Sequence, residues 1–115
     1  MKKIALFVFN GDPMCFIHVL LNGLDMKRKG YETAMVLEGA SVKLLPELDQ
    51  TAHPLNRLWE KAKSEGLIAG VCKACSHKLG TIDEARKQGL ALLDDMSGHP
   101  SMTGFREAGY EVITF

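Results

Sequence analysis

The sequence has no surplus of charge: 14 Lys and Arg stand against 14 Asp and Glu in 115 residues. That balance excludes the basic footprint of a nucleic-acid-binding domain and offers nothing to a membrane surface. Long apolar runs are missing, so no segment is suited to span a bilayer. The opening Met1-Lys2-Lys3, followed by Ile4 to Phe9, has the outline of a signal peptide. Its apolar stretch is short, however, and ends in Asn10-Gly11-Asp12 without a small-residue cleavage site. Cysteine is scarce and odd in number, three residues, which speaks against a secreted disulfide framework. The expected setting is the cytoplasm, with reduced thiols.

Several familiar signatures are absent as well. There is neither G-x-G-x-x-G nor a Walker loop for phosphates, and no Gly-x-Ser-x-Gly elbow for a serine hydrolase. The first loop, Asn10-Gly11-Asp12-Pro13-Met14, puts an acid and a proline where a flavin phosphate would need hydroxyls and free backbone N–H groups. FMN is thereby excluded. No Lys follows Lys87, which removes the late lysine that a phospho-receiver requires.

What is present fits one globular domain, 1–115, with a single core: 46% hydrophobic and 24% charged residues. One pattern recurs four times, a polar helix end, then Gly, then an aromatic residue or Leu opening an apolar run. The instances are Lys29-Gly30-Tyr31, Glu65-Gly66-Leu67, Gln88-Gly89-Leu90 and Ala108-Gly109-Tyr110. Gly suits the left-handed position that closes a helix. The strands that follow are predicted at about 3–9, 32–37, 67–72, 90–94 and 110–115. Short apolar runs alternating with helices predict a mostly parallel, five-stranded sheet covered on both faces, a flavodoxin-like α/β/α sandwich.

Thr81-Ile82-Asp83-Glu84 has the form of a capping box, and Pro54 and Pro100 suit first helical positions. Leu55, Leu58, Trp59 and Ala62 make one apolar helix face and are expected in the core. The first helix, roughly Pro13 to Lys29, is apolar over most of its circumference apart from a stripe of His18, Asn22, Asp25 and Lys29. Such a helix wants cover on more than one side, and a homo-oligomer is the expected source of it.

In doubly wound sheets, chemistry gathers beyond the carboxyl ends of the strands. That rim is predicted to carry Asn10-Gly11-Asp12 and Cys15, Glu38-Gly39, Cys72 to Lys78, and Asp94 to His99. A flavodoxin-like order makes the first and third strands neighbours, so Cys15 and Cys72 would flank one crevice. A free thiol has a pKa near 8.5, leaving roughly 3% as thiolate at pH 7, and a helix N-terminus or nearby cations raise that fraction. Cys72, at a strand end with Lys73, His77 and Lys78 close by in sequence, is the candidate nucleophile, and Cys75 its partner. His77 and His99 are candidate proton carriers. The spacing also leaves open a dithiol redox couple and a non-enzymatic protein holding zinc or a small ligand. The candidate zinc ligands are Cys72, Cys75, His77 and His99. The leading expectation involves no cofactor, with zinc the alternative.

The opening strand Ile4 to Asn10 with its apolar helix, Val36-Leu37-Glu38-Gly39, and above all Val71-Cys72-Lys73-Ala74-Cys75-Ser76-His77-Lys78-Leu79-Gly80 resemble the DsrE/DsrF-like family of small sulfur-relay and related proteins. The resemblance covers nearly the whole chain. It implies a flavodoxin-like fold and oligomers, commonly trimers or hexamers. It further implies a persulfide carried on Cys72 and passed between sulfur donor and acceptor proteins. Here the segment after the thiol holds Lys73, His77 and Lys78, where several carriers of the family are small and apolar. The resulting expectation is an intracellular sulfur carrier in which Lys73 stabilises the Cys72 thiolate.

Overall fold

The computed structural model describes residues 2–115. Five strands, β1 (Lys3–Val8), β2 (Glu32–Leu37), β3 (Ile68–Cys72), β4 (Leu92–Leu93) and β5 (Glu111–Thr114), form one sheet in the order β4-β3-β2-β1-β5. All four pairings are parallel. The helices are α1 (Pro13–Arg28), α2 (Leu45–Leu48), α3 (Asn56–Ser64), α4 (Lys73–Lys78), α5 (Ile82–Lys87) and α6 (Met102–Glu107), with a 3₁₀ helix, Gly39–Leu44, leading into α2. None of the described helices is long and apolar enough to cross a membrane.

The strand order explains an uneven sandwich. From β1 to β4 each connection steps one strand in the same direction, so right-handed crossovers put α1 to α5 on one face. The last connection returns across the sheet to β5 and puts α6 on the other. The larger core accordingly joins Ile4, Leu6, Val8, Met35, Leu37 and Val71 to the first five helices. On the second face, Ala5, Phe7 and Val36 meet Met102, Phe105 and Tyr110. Phe7 and Phe105 stand edge to face at 5.4 Å.

The three-layer α/β expectation holds, but the adjacency of the first and third strands does not. β2 lies between them, so Cys15 and Cys72 flank no common crevice. The four Gly junctions carry the expected left-handed backbone, with φ of 89°, 74°, 72° and 95° at Gly30, Gly66, Gly89 and Gly109. Three details of the helix starts differ. Thr81 precedes α5 with φ −116° and ψ 12°, and its hydroxyl caps no backbone N–H. Glu84 accepts instead from Gln88 Nε2 at 2.9 Å, a helix-turn neighbour that outcompetes the reach back to residue 81. Pro54 and Pro100 sit just before the caps Leu55 and Ser101, two positions ahead of the first helical residues Asn56 and Met102.

The Leu55-Trp59-Ala62 stripe is core, with Trp59 fully buried. α1 buries Phe16, Val19, Leu20 and Leu24 and exposes Met14 and Leu21. Its open apolar face is therefore narrower than the sequence suggests. Gly70 carries a tighter constraint. A Cβ there would lie 2.7 Å from both the Ala91 carbonyl oxygen and Leu93 Cγ, because β4 and the residue leading into it pair alongside β3 at this point. Gly70→Ala is expected to lower stability by about 1–3 kcal/mol, read as a shift in denaturant midpoint. It would also displace β4, the root of the loop that carries His99.

Candidate metal centre

Three chain segments meet at the carboxyl ends of β2, β3 and β4. Cys72 ends β3 and caps α4, its sulfur accepting the Cys75 N–H at 3.3 Å. The Cys-x-x-Cys spacing thus spans a single helical turn that brings both thiols to one side. Cys72 is fully buried, Cys75 partly so.

Glu38 follows β2 in extended backbone and opens the 3₁₀ helix. Its N–H donates to the Val8 carbonyl at 2.8 Å. The buried Ser41 hydroxyl binds the Glu38 and Val8 carbonyls at 2.8 and 2.7 Å. These bonds pin the chain where the side chain turns inward, only 9% exposed.

His99 arrives through a tight hairpin. Met96 and His99 exchange both backbone hydrogen bonds, at 2.7 and 3.0 Å. Ser97 and Gly98 between them have φ of 51° and 90°, the left-handed pair of a type I′ turn. The Gly98 carbonyl accepts from Ala74 N–H at 2.9 Å and so ties the hairpin to α4. A Cβ on Gly98 would come within 3.2 Å of Ala74 Cβ.

One ligand atom from each of Glu38, Cys72, Cys75 and His99 lies within 4.8 Å of every other. The convergence is on His99 Nδ1, which is 3.1 Å from Cys72 Sγ, 3.7 Å from Cys75 Sγ and 3.8 Å from Glu38 Oε1. Three groups compete for one ring nitrogen. A catalytic relay would divide them, with the thiol on one imidazole nitrogen and the carboxylate on the other. A tetrahedral zinc with such donors places them roughly 3.3–3.8 Å apart, close to the spacing found here.

Burial sets the electrostatic cost of ionising these groups. Burial pushes the Cys72 thiol from its ordinary 9.0 up to about 12; the Cys75 N–H opposes the rise, and the Cys75 thiol and Glu38 add to it. Burial also raises the Glu38 carboxyl, with His99 opposing. Both groups hold their protons more tightly than in water. A bound dication reverses this, because the ionised forms become the favoured ones.

The sequence-derived candidates divide accordingly. Cys72, Cys75 and His99 come together. His77 faces solvent on α4 outside the cluster; three residues beyond Cys75 would share its face, but two lie elsewhere on the turn. Lys73 turns to Asp94 at 3.5 Å rather than to a thiolate, so the expected cation beside Cys72 is spent on a surface pair. Asn10 accepts the Asp12 N–H at 2.8 Å and shapes the start of α1. Cys15 is exposed on α1, outside the cluster. The expectation of a reachable, acidified Cys72 meets a buried thiol of raised pKa. Glu38 is the cluster member that the sequence placed on the rim but not in the candidate set. The signal was an acidic residue directly after the apolar run Ala34 to Leu37.

No protein-family model matches the chain. Its fold is similar to the structure of a conserved protein of unknown function, BT1422, from Bacteroides thetaiotaomicron, with a TM-score of 0.74 and 16% identity over 99% of this chain and 95% of that one. An uncharacterized protein of Archaeoglobus fulgidus is 42% identical over 38 residues, 33% of this chain and 62% of its own length. The uncharacterized protein MJ0733 of Methanocaldococcus jannaschii is 34% identical over 97 residues, 84% of this chain and 77% of that protein. On that extent of shared sequence, this chain belongs to the same family as MJ0733.

Proposed function

We propose that this protein holds a divalent, thiol-seeking cation in the cluster of Glu38, Cys72, Cys75 and His99, and that the ion is zinc. The observation that carries the reading is the meeting of four donors within 4.8 Å from three separate chain segments at one rim. Two sulfurs, an imidazole and a carboxylate form a borderline-soft set, the chemistry zinc prefers over magnesium or calcium. Four protein donors make a closed site that ties the β2, β3 and β4 ends together. The His99 side chain, 42% exposed, leaves a route for the ion to enter.

Titrating the reduced protein with zinc against a chromophoric chelator tests this. One equivalent is expected to bind, and cobalt in its place is expected to show a thiolate-to-metal charge-transfer band. Glu38→Gln is expected to weaken zinc by at least ~10-fold. Absence of saturable binding, or cobalt bound without sulfur character, would overturn the assignment.

The likeness to sulfur-relay proteins supports a second reading, a persulfide carrier or dithiol couple. Its more accessible thiol is Cys75, half-buried against an open cavity, since Cys72 is sealed. After polysulfide treatment of metal-free protein, a carrier is expected to gain sulfur mass and a dithiol couple to lose two hydrogens as a Cys72–Cys75 disulfide, and Cys75→Ser is expected to abolish either change. Unchanged mass, or an adduct that persists in the variant, counts against it.

A further inference from the structure

The cavity beside this centre has a character that metal binding does not account for. It is an open concavity of about 430 Å³ between the 3₁₀ helix and α4. Lys43 enters its lining from the first element and Lys78 from the second, with Cys75 and His99 at the side nearest the cluster. Ala40, Ala74 and Leu79 supply apolar wall, and no carboxylate belongs to the lining.

Most basic side chains of this molecule have acidic partners. Lys3, Arg28, Lys29, Lys61, Lys63, Lys73, Arg86 and Lys87 each lie within 3.9 Å of a carboxylate. Among the described residues, Lys2, Lys27, Lys43, Arg57 and Lys78 form neither an ion pair nor a side-chain hydrogen bond, and of these Lys43 and Lys78 line this cavity. The nearby Glu38 is buried and turned to His99. Two ammonium groups in one concave lining that holds no carboxylate give that surface a positive potential.

We infer that this cavity is a binding site for a small organic anion, held by Lys43 and Lys78 and lying against Cys75 and His99. The volume lies within the range of small-molecule sites and is far below what a macromolecule needs. The aliphatic wall selects a ligand with a short hydrocarbon body over a bare inorganic ion. A neutral ligand would leave both ammonium groups uncompensated. The placement puts the ligand beside the proposed cation but outside its closed set of four donors. The lysines and the walls stand whether or not a metal is bound, so this inference does not depend on the zinc assignment.

Succinate serves as the probe and succinamide, its neutral isostere, as the control, each titrated calorimetrically into the reduced full chain with and without zinc. Saturable binding of succinate is expected, weakened by added salt and by about tenfold in each of Lys43→Ala and Lys78→Ala. Both positions are exposed, so the variants are expected to unfold at the wild-type denaturant midpoint. Arginine at either position is expected to restore binding. No saturable binding of succinate overturns the inference, as does equal binding of succinamide or unchanged affinity in a Lys43→Ala/Lys78→Ala double variant. A wild type that binds no zinc would sink the metal centre and leave this test intact.

Discussion

Cys72→Ala is expected to remove stoichiometric zinc binding and, with it, nearly all of the stabilisation that zinc confers. With free zinc at 1,000 times its dissociation constant, a ligand that binds only the folded state adds about 4.1 kcal/mol. That increment should show as a raised unfolding midpoint in wild type and vanish in the variant. The metal-free variant should stay folded. The lost sulfur was a cap for one N–H of a single short helix, worth about 1 kcal/mol.

Proton release gives an independent reading of the same variant. Because the Cys72 thiol is pushed up to about 12, it is fully protonated at neutral pH and must lose one proton for each zinc bound. Calorimetry in buffers of different ionisation enthalpy should count one proton fewer in any residual binding by the variant. The pH dependence of stability should also change sign with the metal. A group whose folded pKa is raised stabilises the fold below its unfolded value, and that contribution is lost as pH rises toward the folded value. The metal-free protein should therefore weaken as pH climbs above the ordinary carboxyl range, through Glu38, and again from 9.0 toward about 12, through Cys72. The zinc-loaded protein should gain stability with rising pH near neutrality, because the ion takes the deprotonated ligands. Parallel pH profiles with and without zinc would contradict the centre.

Trp59→Ala is expected to be the most damaging core substitution, at about 3–5 kcal/mol. The indole is completely buried and lies 6.0 Å from the Phe16 ring, centroid to centroid. Its Nε1 donates to Gln88 Oε1 at 2.9 Å, and Gln88 Nε2 donates in turn to the Leu45 carbonyl at 2.8 Å. Trp59 and Gln88 together thus join α1, α2, α3 and the end of α5. Truncation opens a cavity on the thick side of the sheet and loosens a shared polar contact. Chemical denaturation should report the loss, while zinc stoichiometry in the folded fraction should be unchanged. A cost below about 1 kcal/mol would mean that the site collapses around the missing ring.

Much of the architecture was legible because it depends on short-range chemistry. The glycines that close helices could be read directly, since only residues tolerant of positive φ end a helix that way. Apolar runs of four to six residues marked the strands. Thr81 shows where such local signals fail: the capping-box pattern was present, but Glu84 found Gln88 one turn on. Strand order was beyond local reading. The β1–β3 adjacency carried over from a flavodoxin-like order had no residue in the chain to contradict it.

The centre divides along the same line. By itself the sequence determined that two thiols would share one turn beyond a buried strand, and that the stretch Asp94 to His99 would bring a histidine to the same rim. Tertiary structure alone decided that Glu38, 34 residues before Cys72, would complete the set and that His77 would be left outside. It also decided that Cys72 would be enclosed rather than presented. Those outcomes depend on which strands lie side by side and how deeply their ends are covered. Both follow from packing the whole chain around one sheet, because spacing along the backbone limits reach but does not select neighbours.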